Sequence, residues 1–437
     1  MMASRAHGPA YAGISLQPGR SSAVVVQDNR VVAVPAGDAG TGGIRAMLHR
    51  LSAAADSAVT AITLDISQLL LDAVLHRAAD LPPVAVIRIV PVAATDPALG
   101  RSPSAVVERM VAARFTVSGG NDLLGNELRR LDHAALQQVC AALQATGIVD
   151  VAIVAAGSQA RPLHERAVAD AVQAVVPQAR ISLASDFGGQ GLVAREATVT
   201  LDCALRPLTD ALLTEWERAL AEVLPDASLR VARGDGGYST SSRVRSLPVM
   251  SIGSADAMQV AGAAYLERSP DCRVLLPRPG GQVAGDVRNS MVAIRSGELA
   301  AFGVQLVVPT AVLTPDHGET PGAEAGRSTD VPVVLASRDV EELVCLGAAV
   351  SSPTAWLDEF AFIESATQLD RVRGEARERA RALVLANGAA PGSAYVAEVS
   401  TVAVPYSPPG TVRVRVRVAG APDTDPRRLE VFDRMAP

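Results

Sequence analysis

The stretch IVDVAIVAAGSQARPLHERAVADAVQAVVPQARISLASDFGGQGLVAREATVTLDCALR (residues 148–206) decides the fold class. Its first apolar run, Val149–Ala155, predicts a buried strand, and a helix is expected to open at His164–Glu165. A second short strand is predicted over Arg180–Ala184, before a glycine-rich turn and the run Arg195–Thr198. Strand, helix and strand in this order indicate α/β layering.

The flanking segments continue the alternation of strands and helices. Two valine-rich runs around Asp28-Asn29 predict a β-hairpin, and the apolar run Val84–Val90 predicts another buried strand. Helices are predicted over His133–Thr146 and Pro207–Val223, the second because its apolar side chains recur on one face. A long charged helix is predicted over Leu369–Ala386. These elements favour an α/β protein in which helices are layered on sheets.

The last predicted strand, Thr411–Val418, alternates valine with Arg413, Arg415 and Arg417. A period of two with one charged face predicts an edge or half-exposed strand whose arginines meet solvent. Binding of an anion by the three arginines is the alternative interpretation.

The composition is that of a globular protein with a sizeable core. Of the 437 residues 49% are hydrophobic, and this length accommodates two or three domains. All 40 basic residues are arginine, so lysine chemistry, including a P-loop lysine, is excluded. Aromatic residues make up only 3%, which argues against stacking platforms for nucleic acids. The net charge of −6 does not favour a nucleic-acid partner either.

Cysteine and histidine usage gives no sign of a metal site. The four cysteines, at positions 140, 203, 272 and 345, form no CxxC pair, and the six histidines show no ligand spacing. Free thiols are expected, which favours a reducing compartment such as the cytoplasm. The N-terminus lacks an apolar signal segment, and no apolar run reaches the roughly 18–20 residues of a membrane span. We therefore expect a cytoplasmic protein without a bound metal or a membrane partner.

Several strings, taken in order, resemble the hydantoinase/oxoprolinase family in its shorter bacterial branch. The similarity extends over about residues 10–420, and the succession of the strings carries it, because no single string is diagnostic. The strings are GGNDLLGNEL (119–128), HE (164–165), ISLASDFGGQGLVAREATVTLDCAL (181–205), GDGG (234–237), GAAYL (262–266) and the ending ANGAAPGSAYVAEVSTVAVPYSPPGTVRVRVRVAG (386–420).

The resemblance implies the two-lobe α/β fold of the actin, Hsp70 and sugar-kinase group, in which two related lobes close over a nucleotide. On that pattern we divide the chain into a tail (1–10), an N-terminal lobe (11–185), a core lobe (186–350) and a C-terminal segment of helix and strands (351–437). The polar stretch 313–331, with proline and glycine and no periodicity, is predicted to be a mobile loop.

Members of the family use ATP to activate a cyclic amide for hydrolysis, and a few relatives carboxylate ketones. The resemblance implies one loop of the DxGGTxTD kind in each lobe, whose glycines let backbone N–H groups reach phosphate while the aspartate holds Mg²⁺. In the first lobe Ser15 and Ser22 replace the two aspartates of this loop. Gln17-Pro18 replace its glycine pair, and the proline removes one N–H donor.

The second loop retains the glycine pair, Gly280 and Gly281. Arg278 replaces its leading aspartate, and Asp286 lies one place beyond the closing one. We take these four residues and Arg20 of the first loop as remnants of the cofactor-binding loops. The two arginines could hold a phosphate or a carboxylate; solvated loop arginines are the alternative.

Two further family signatures are altered. A Gly-Thr-Thr-His run, which the resemblance places near Leu64–Ser67, is absent. The Ser-Gly-Pro turn before the GAAYL helix reads Ser254-Ala255-Asp256.

Asp235, between glycines in the GDGG turn, is the candidate catalytic acid, because in the family this turn lies near the substrate. A tight turn that uses aspartate as a turn former is the alternative. For Glu165, in the first turn of its helix, the favoured explanation is the helix dipole, and a role of His164 and Glu165 as ligands is the alternative. Arg195 and Glu196 are expected to form an ion pair, either between the lobes or at the surface.

Two hypotheses about function follow. The loss of both metal-facing loops favours a catalytically degenerate family member, a structural or regulatory subunit of an active homologue in a homo- or hetero-oligomer, which requires no cofactor. The ordered resemblance favours an active ATP-dependent cyclic amidase of the hydantoinase type, or a carboxylase subunit, with ATP, Mg²⁺ and a small cyclic amide as ligands. We favour the first hypothesis.

Overall fold

The computed structural model of the protein describes residues 8–38, 40–91, 104–299, 303–316 and 331–423. Its first sheet starts so early that Ala10, placed in the predicted tail, is already a buried strand residue. The predicted hairpin is present, and Asp28 and Asn29 have φ angles of 49° and 62°, as a two-residue turn between antiparallel strands requires. The elements of this segment are β1 (Ala10–Gln17), β2 (Arg20–Gln27), β3 (Arg30–Gly37), α1 (Thr41–Ala54), β4 (Val59–Asp65) and α2 (Ser67–Leu75).

The second segment forms a parallel α/β unit, which contains the strand, helix and strand predicted within residues 148–206. Its elements are β5 (Val84–Val90), α3 (Ala105–Glu108), β6 (Val111–Ser118), β7 (Gly120–Asn121), β8 (Glu127–Arg129), α4 (His133–Thr146), β9 (Asp150–Ala155), α5 (Leu163–Val175) and β10 (Arg180–Leu183). The strand order β10-β9-β5-β6 is parallel throughout. Alternate residues of β5 and β9 pack against α4 and α5, as the burial of both faces of a parallel sheet requires.

The third segment completes the first sheet from far along the chain. Its elements are α6 (Leu192–Val223), β11 (Ser228–Ala232), β12 (Tyr238–Thr240), α7 (Ser241–Ser246) and α8 (Ser254–Leu266). β11 lies parallel to β4, which gives the order β12-β11-β4-β1-β2-β3. This pairing crosses the predicted boundary at 185/186, and the boundaries of the lobes stay predictions.

The fourth segment repeats the strand arrangement that opens the first sheet. Its elements are β13 (Cys272–Arg278), β14 (Gly281–Arg288), β15 (Met291–Val292), β16 (Ile294–Leu299), β17 (Val304–Ala311), β18 (Leu313–Asp316), β19 (Val333–Leu335) and α9 (Val340–Val350). The hairpin β13–β14 has β19 parallel to its first strand, as the hairpin β1–β2 has β4. The predicted loop at 313–331 therefore begins as strand β18, paired with β14, and its residues 317–330 lie outside the described ranges.

The last segment corrects the prediction of an edge strand at Thr411–Val418. Its elements are β20 (Thr354–Phe362), α10 (Ala366–Ala386), β21 (Tyr395–Ala403) and β22 (Thr411–Ala419). The order is β20-β22-β21, so the predicted edge strand is central. Its arginines do not form a solvated face, because Arg413 donates to Asp358 over 2.7 Å and Arg417 donates to the Val292 carbonyl over 2.7 Å.

Helices α8 and α9 lie side by side between the two hairpin-containing sheets, in backbone contact. A Cβ atom added to Gly262 of α8 would lie 2.1 Å from the Leu343 carbonyl oxygen, and one added to Gly347 of α9 would lie 2.0 Å from that of Met258. On the other side of α9, a Cβ at Gly13 of β1 would lie 1.8 Å from the Cys345 carbonyl oxygen. Only glycine fits these three positions, and α9 is thereby held against both α8 and the first sheet.

The α/β class predicted from the sequence is confirmed by this arrangement. The repeated unit of hairpin and parallel strand supplies the two lobes. Among the helices in the described part of the chain, none combines the length and apolarity that crossing a bilayer would require.

Candidate functional site

The first hairpin, where the resemblance implies a phosphate loop, is closed by the two-residue turn Pro18-Gly19. Gln17 pairs with Arg20 across the strands, so the ladder continues to the turn itself. Gly19 has a φ of 73°, and proline followed by glycine with positive φ is the pattern of a type II turn. Because Pro18 has no N–H group, this tip has lost one of the donors that a phosphate cradle uses.

Arg20, beside this tip, forms an ion pair with Glu341. Its Nη2 atom lies 3.2 Å from Oε2 of Glu341 in the first turn of α9. The same Oε2 atom accepts a hydrogen bond of 2.6 Å from the Ser22 hydroxyl. Ser22, which stands where the family's loop has its closing aspartate, thus binds the carboxylate of Glu341.

The second hairpin ends in the same way as the first. Arg278 pairs with Gly281, which leaves Pro279 and Gly280 as a two-residue turn with a φ of 91° at the glycine. The guanidinium of Arg278 contacts the first turns of α8, where it lies 3.1 Å from Asp256 Oδ1 and donates over 2.7 Å to the Gln259 amide oxygen.

Asp286, predicted as a displaced loop aspartate, does not lie at this tip. It faces Arg273 across the β13–β14 ladder, with 3.6 Å between its Oδ1 atom and Nη1 of Arg273. At a rise of about 3.3 Å per residue, it lies roughly 16 Å along the strand from Gly281. The structure therefore separates the predicted Asp286 from Arg278, Gly280 and Gly281.

A buried carboxylate that the sequence interpretation missed stands at the point where the altered family signatures meet. Asp65, at the end of β4, is fully buried and accepts hydrogen bonds from the Ser67 hydroxyl over 2.9 Å and from the Ser15 hydroxyl over 3.4 Å. The Ser254 hydroxyl also donates to it. Its place at the carboxyl end of a parallel strand is the sequence signal for a site, because ligands bind there in α/β sheets.

This cluster, Ser15, Asp65, Ser67 and Ser254, is closed to solvent. All four side chains are buried, and burial raises the pKa of the Asp65 carboxyl while hydrogen bonds from Ser254 and Ser67 oppose that rise. The acceptor capacity of the carboxylate is met by the chain itself. The cluster therefore joins β1, β4, α2 and α8 and leaves no face of Asp65 for a ligand.

Asp235 is also fully buried, at the GDGG turn. It accepts a hydrogen bond of 2.9 Å from the Thr354 hydroxyl and lies 3.2 Å from the guanidinium of Arg233. Burial alone would raise the pKa of Asp235, but the charges of Arg233 and Arg417 outweigh it and lower that pKa. The Gly237 N–H also donates to Asp235, over 3.3 Å, so the geometry favours the interpretation of the aspartate as a turn former.

In the described ranges, no group of three or more histidine, cysteine, aspartate and glutamate side chains is placed to hold a metal ion. The four cysteines are buried free thiols. Burial raises the pKa values of all four thiols, so none is poised as a thiolate nucleophile.

Residues 23–176 match the protein-family profile described as the hydantoinase/oxoprolinase N-terminal region. This part of the chain is similar to the N-terminal region of hydantoinases and oxoprolinases. The resemblance stated from the sequence strings is thereby confirmed. Comparison with curated protein sequences gives no match.

Two solved structures share the fold of this chain. One is the nucleotide-free structure of acetone carboxylase, from work on ATP-dependent acetone carboxylation, with a TM-score of 0.67 and 12% identity over 96% of this chain and 89% of that chain. The other is the ATP-dependent caprolactamase from Pseudomonas jessenii, with a TM-score of 0.67 and 12% identity over 93% of this chain and 87% of that one. The predicted two-lobe ATPase-like fold is confirmed.

The HE (164–165) and REAT (195–198) strings form two buried ion-pair networks. Glu165 is fully buried and accepts hydrogen bonds of 2.8 Å from the backbone N–H groups of Ala155 and Ser185. Arg195 lies 3.5 Å from it and donates over 2.9 Å to the Ala155 carbonyl. Glu165 thus fastens the end of β9 to α5 and α6, which is more than the helix dipole explains.

Arg195 and Glu196 do not pair with each other, so the predicted ion pair between them is wrong. Successive residues of a helix point in different directions, and each finds its own partner. Glu196 accepts a hydrogen bond of 2.8 Å from Arg88 of β5 and lies 3.4 Å from Arg114 of β6. Both strings therefore hold the second sheet to α6.

A further buried carboxylate, Asp202, predicts that the stability of the protein depends on pH. Burial raises the pKa of Asp202 to about 6, while Arg206 opposes and Asp186 adds to the rise. The folded state then binds the proton more tightly than the unfolded state, so this group costs stability as pH rises from about 4 to 6.

We expect Asp202→Asn to remove this cost. Relative to the unsubstituted chain, the stability of this variant should increase between pH 4.5 and 7.5 by about 2 kcal/mol, which is the cost that the raised pKa of Asp202 imposes over this range. Thermal or urea unfolding of both proteins across this range measures the difference. A difference that stays constant with pH would contradict the raised pKa.

Proposed function

We propose that this chain is a non-catalytic member of the hydantoinase/oxoprolinase family that serves as a structural or regulatory subunit of an active homologue. The observation that carries the proposal is that both loop positions are closed by two-residue Pro-Gly turns whose neighbouring arginines are paired with carboxylates of the chain. Such a subunit would retain the two-lobe fold without nucleotide chemistry.

Phosphate chemistry explains why this geometry argues against a bound nucleotide. A triphosphate needs several convergent N–H donors or cations, and Mg²⁺ needs carboxylate or water ligands. Each Pro-Gly tip lacks the N–H of its proline, and each adjacent arginine meets a carboxylate: Arg20 with Glu341, and Arg278 with Asp256. Asp65, a fully buried carboxylate near the first loop, is enclosed by serines.

A family member that has lost this chemistry can still have a structural or regulatory role if it binds a homologue. We propose that its partner is a chain with both DxGGTxTD loops intact, in a hetero-oligomer, and that the complex works in the cytoplasm, where the four buried thiols stay reduced. The cyclic amide or ketone would then be a ligand of the partner.

Calorimetric titration of the full chain with ATP and excess Mg²⁺ tests the first part of the proposal. We expect no saturable heat at nucleotide concentrations up to the millimolar range, whereas a homologue with both loops intact, titrated alongside, binds. Saturable binding of ATP in the micromolar range would overturn the proposal, and its loss in Arg278→Ala would place the nucleotide at the second hairpin tip.

Co-expression with such a homologue tests the second part. We expect the two chains to elute together in size-exclusion chromatography, and separate elution would overturn the role as a subunit. The alternative function, an active ATP-dependent amidase or carboxylase subunit, is favoured by the shared fold with two ATP-dependent enzymes. If this alternative is correct, the calorimetric titration will detect binding of ATP.

A further inference from the structure

The described structure contains a cavity of about 580 Å³ at the end of the two lobes that is remote from both Pro-Gly hairpins. It is lined by residues at the last turns of α8 and α9, among them Leu266 and Val350. The turns at the far ends of β2 and β14 also contribute: Asn29 from the β2–β3 turn and Ser290 from the β14–β15 turn. Because α8 has 13 residues at about 1.5 Å each, the cavity lies roughly 20 Å from the hairpin tips.

The charge of the cavity wall differs from that of the whole chain. Although the chain has a net charge of −6, the described lining includes Arg268 and Arg417 and no aspartate or glutamate. Hydroxyl groups of Ser351, Ser352 and Thr354 add neutral polar atoms. A wall with cations and no carboxylate favours an anionic ligand group.

Arg417 is the buried cation of this wall, with 3% of its surface exposed. It donates to the Val292 carbonyl over 2.7 Å and to the Asp235 carbonyl, and its Nε atom is buried without a hydrogen-bond partner in the described residues. Two carboxylates act on it electrostatically: Asp235, which Arg233 also pairs with, and Glu398, which is exposed on the neighbouring strand β21. The wall thus retains positive charge after its internal pairs are counted.

Much of the remaining wall is apolar or aromatic, and Asn29, Ser269, Asn289 and Ser290 complete its polar part. Val31, Leu266, Met291 and Val350 supply aliphatic and thioether surface, and Tyr265 and Tyr395 supply rings. The volume is in the range of small-molecule sites, which combine mostly apolar walls with a few polar groups that orient the ligand. An adjoining cavity of about 410 Å³ shares Asn29, Tyr265 and Val350 and offers room for a longer ligand.

We propose that this cavity binds a small organic carboxylate with an apolar body, its carboxylate toward Arg417 and Arg268 and its body between Tyr265 and the aliphatic wall. The site joins the C-terminal ends of α8 and α9 to the C-terminal sheet through Thr354 and Arg417. Ligand binding there is independent of the nucleotide loops. In a subunit without its own reaction, such a site gives the assembly a place to sense a metabolite.

Benzoate and benzamide are matched probes for this proposal, because they share an apolar ring and differ in charge. In ligand-observed NMR titrations of the full chain, we expect benzoate to bind at least about tenfold more tightly than benzamide, since hydrogen bonds to charged groups are worth about 1.5–3 kcal/mol. Equal affinities, or no binding of benzoate, would overturn the proposal.

Two variants place the binding in the cavity. Ala261→Leu, which narrows the cavity, should weaken both probes, and Arg268→Gln should weaken benzoate about threefold or more while leaving benzamide unchanged. Arg371→Gln, at an exposed position of α10, is the matched control and should change neither affinity. Arg268 lies at an exposed position, so its variant reports even if Ala261→Leu fails to fold. Benzoate binding that persists unchanged in Arg268→Gln would assign the anion to another site.

Discussion

Gly347→Ala is expected to prevent the chain from reaching its native structure. The added Cβ atom would lie 2.0 Å from the Met258 carbonyl oxygen and 2.7 Å from its carbonyl carbon, so the obstacle is the backbone of the neighbouring helix α8 rather than a movable side chain. The helices can accept the methyl group only by moving apart. We expect a loss of about 3 kcal/mol or more in the free energy of unfolding, at the upper end of what overpacking costs.

Gly374→Ala in α10 is the matched control, because an added Cβ there meets no atom within 4 Å. Alanine favours the helical state over glycine by about 1 kcal/mol, so this variant should be as stable as the unsubstituted chain or more so. Soluble yield and the midpoint of thermal unfolding measure both variants. If Gly347→Ala unfolded at the same temperature as the unsubstituted chain, the backbone contact between α8 and α9 would not exist.

Glu165→Ala is expected to cause the second large loss of stability. Removal of the carboxylate leaves the N–H groups of Ala155 and Ser185 without their acceptor and leaves Arg195, of which 2% is exposed, as an unpaired buried charge. Removal of one partner of a buried ion pair costs about 3–5 kcal/mol. Urea unfolding followed by circular dichroism measures the change.

The control for this prediction is Glu127, the carboxylate that contacts the neighbouring residue His164. His164 contacts Glu127 over 3.1 Å, but 41% of the Glu127 side chain is exposed, so Glu127→Ala should cost at most about 1 kcal/mol. Glu165→Gln, which keeps one acceptor oxygen, should fall between the two. Equal effects of Glu165→Ala and Glu127→Ala would show that the buried network is not the main support of this region.

The elements that the sequence predicted best are those whose ends are fixed locally. Helix α4 has the predicted bounds His133–Thr146, because Asp132 accepts a hydrogen bond from the Ala135 N–H at its start and Gly147 ends it with a φ of 71°. Helix α6 was predicted only from Pro207, yet it begins at Leu192. Its first half is buried on nearly all sides and thus lacks the one-sided pattern that indicates a helix.

The predictions that failed depended on partners far away in the sequence. Strand β22 has the expected period of two, but its charged face meets Asp358 and the carbonyls of Val292 and Asp235 instead of water. Likewise the Pro-Gly turns are visible in the sequence, whereas the pairing of Arg20 with Glu341 depends on how the lobes pack. The local sequence shows which side chains are charged, but it does not show with which opposite charge each of them pairs.

The pairing of β4 with β11 constrains how the protein can be made. During synthesis, residues 10–65 leave the ribosome long before Ser228–Ala232, and until then the edge of β4 has no partner in its own sheet. The parallel unit of β5, β6, β9 and β10 comes from the intervening chain and can form first. Non-local strand pairing is slow, and exposed strand edges invite aggregation. We therefore expect the nascent chain to be prone to aggregation at this edge until β11 and β12 have emerged.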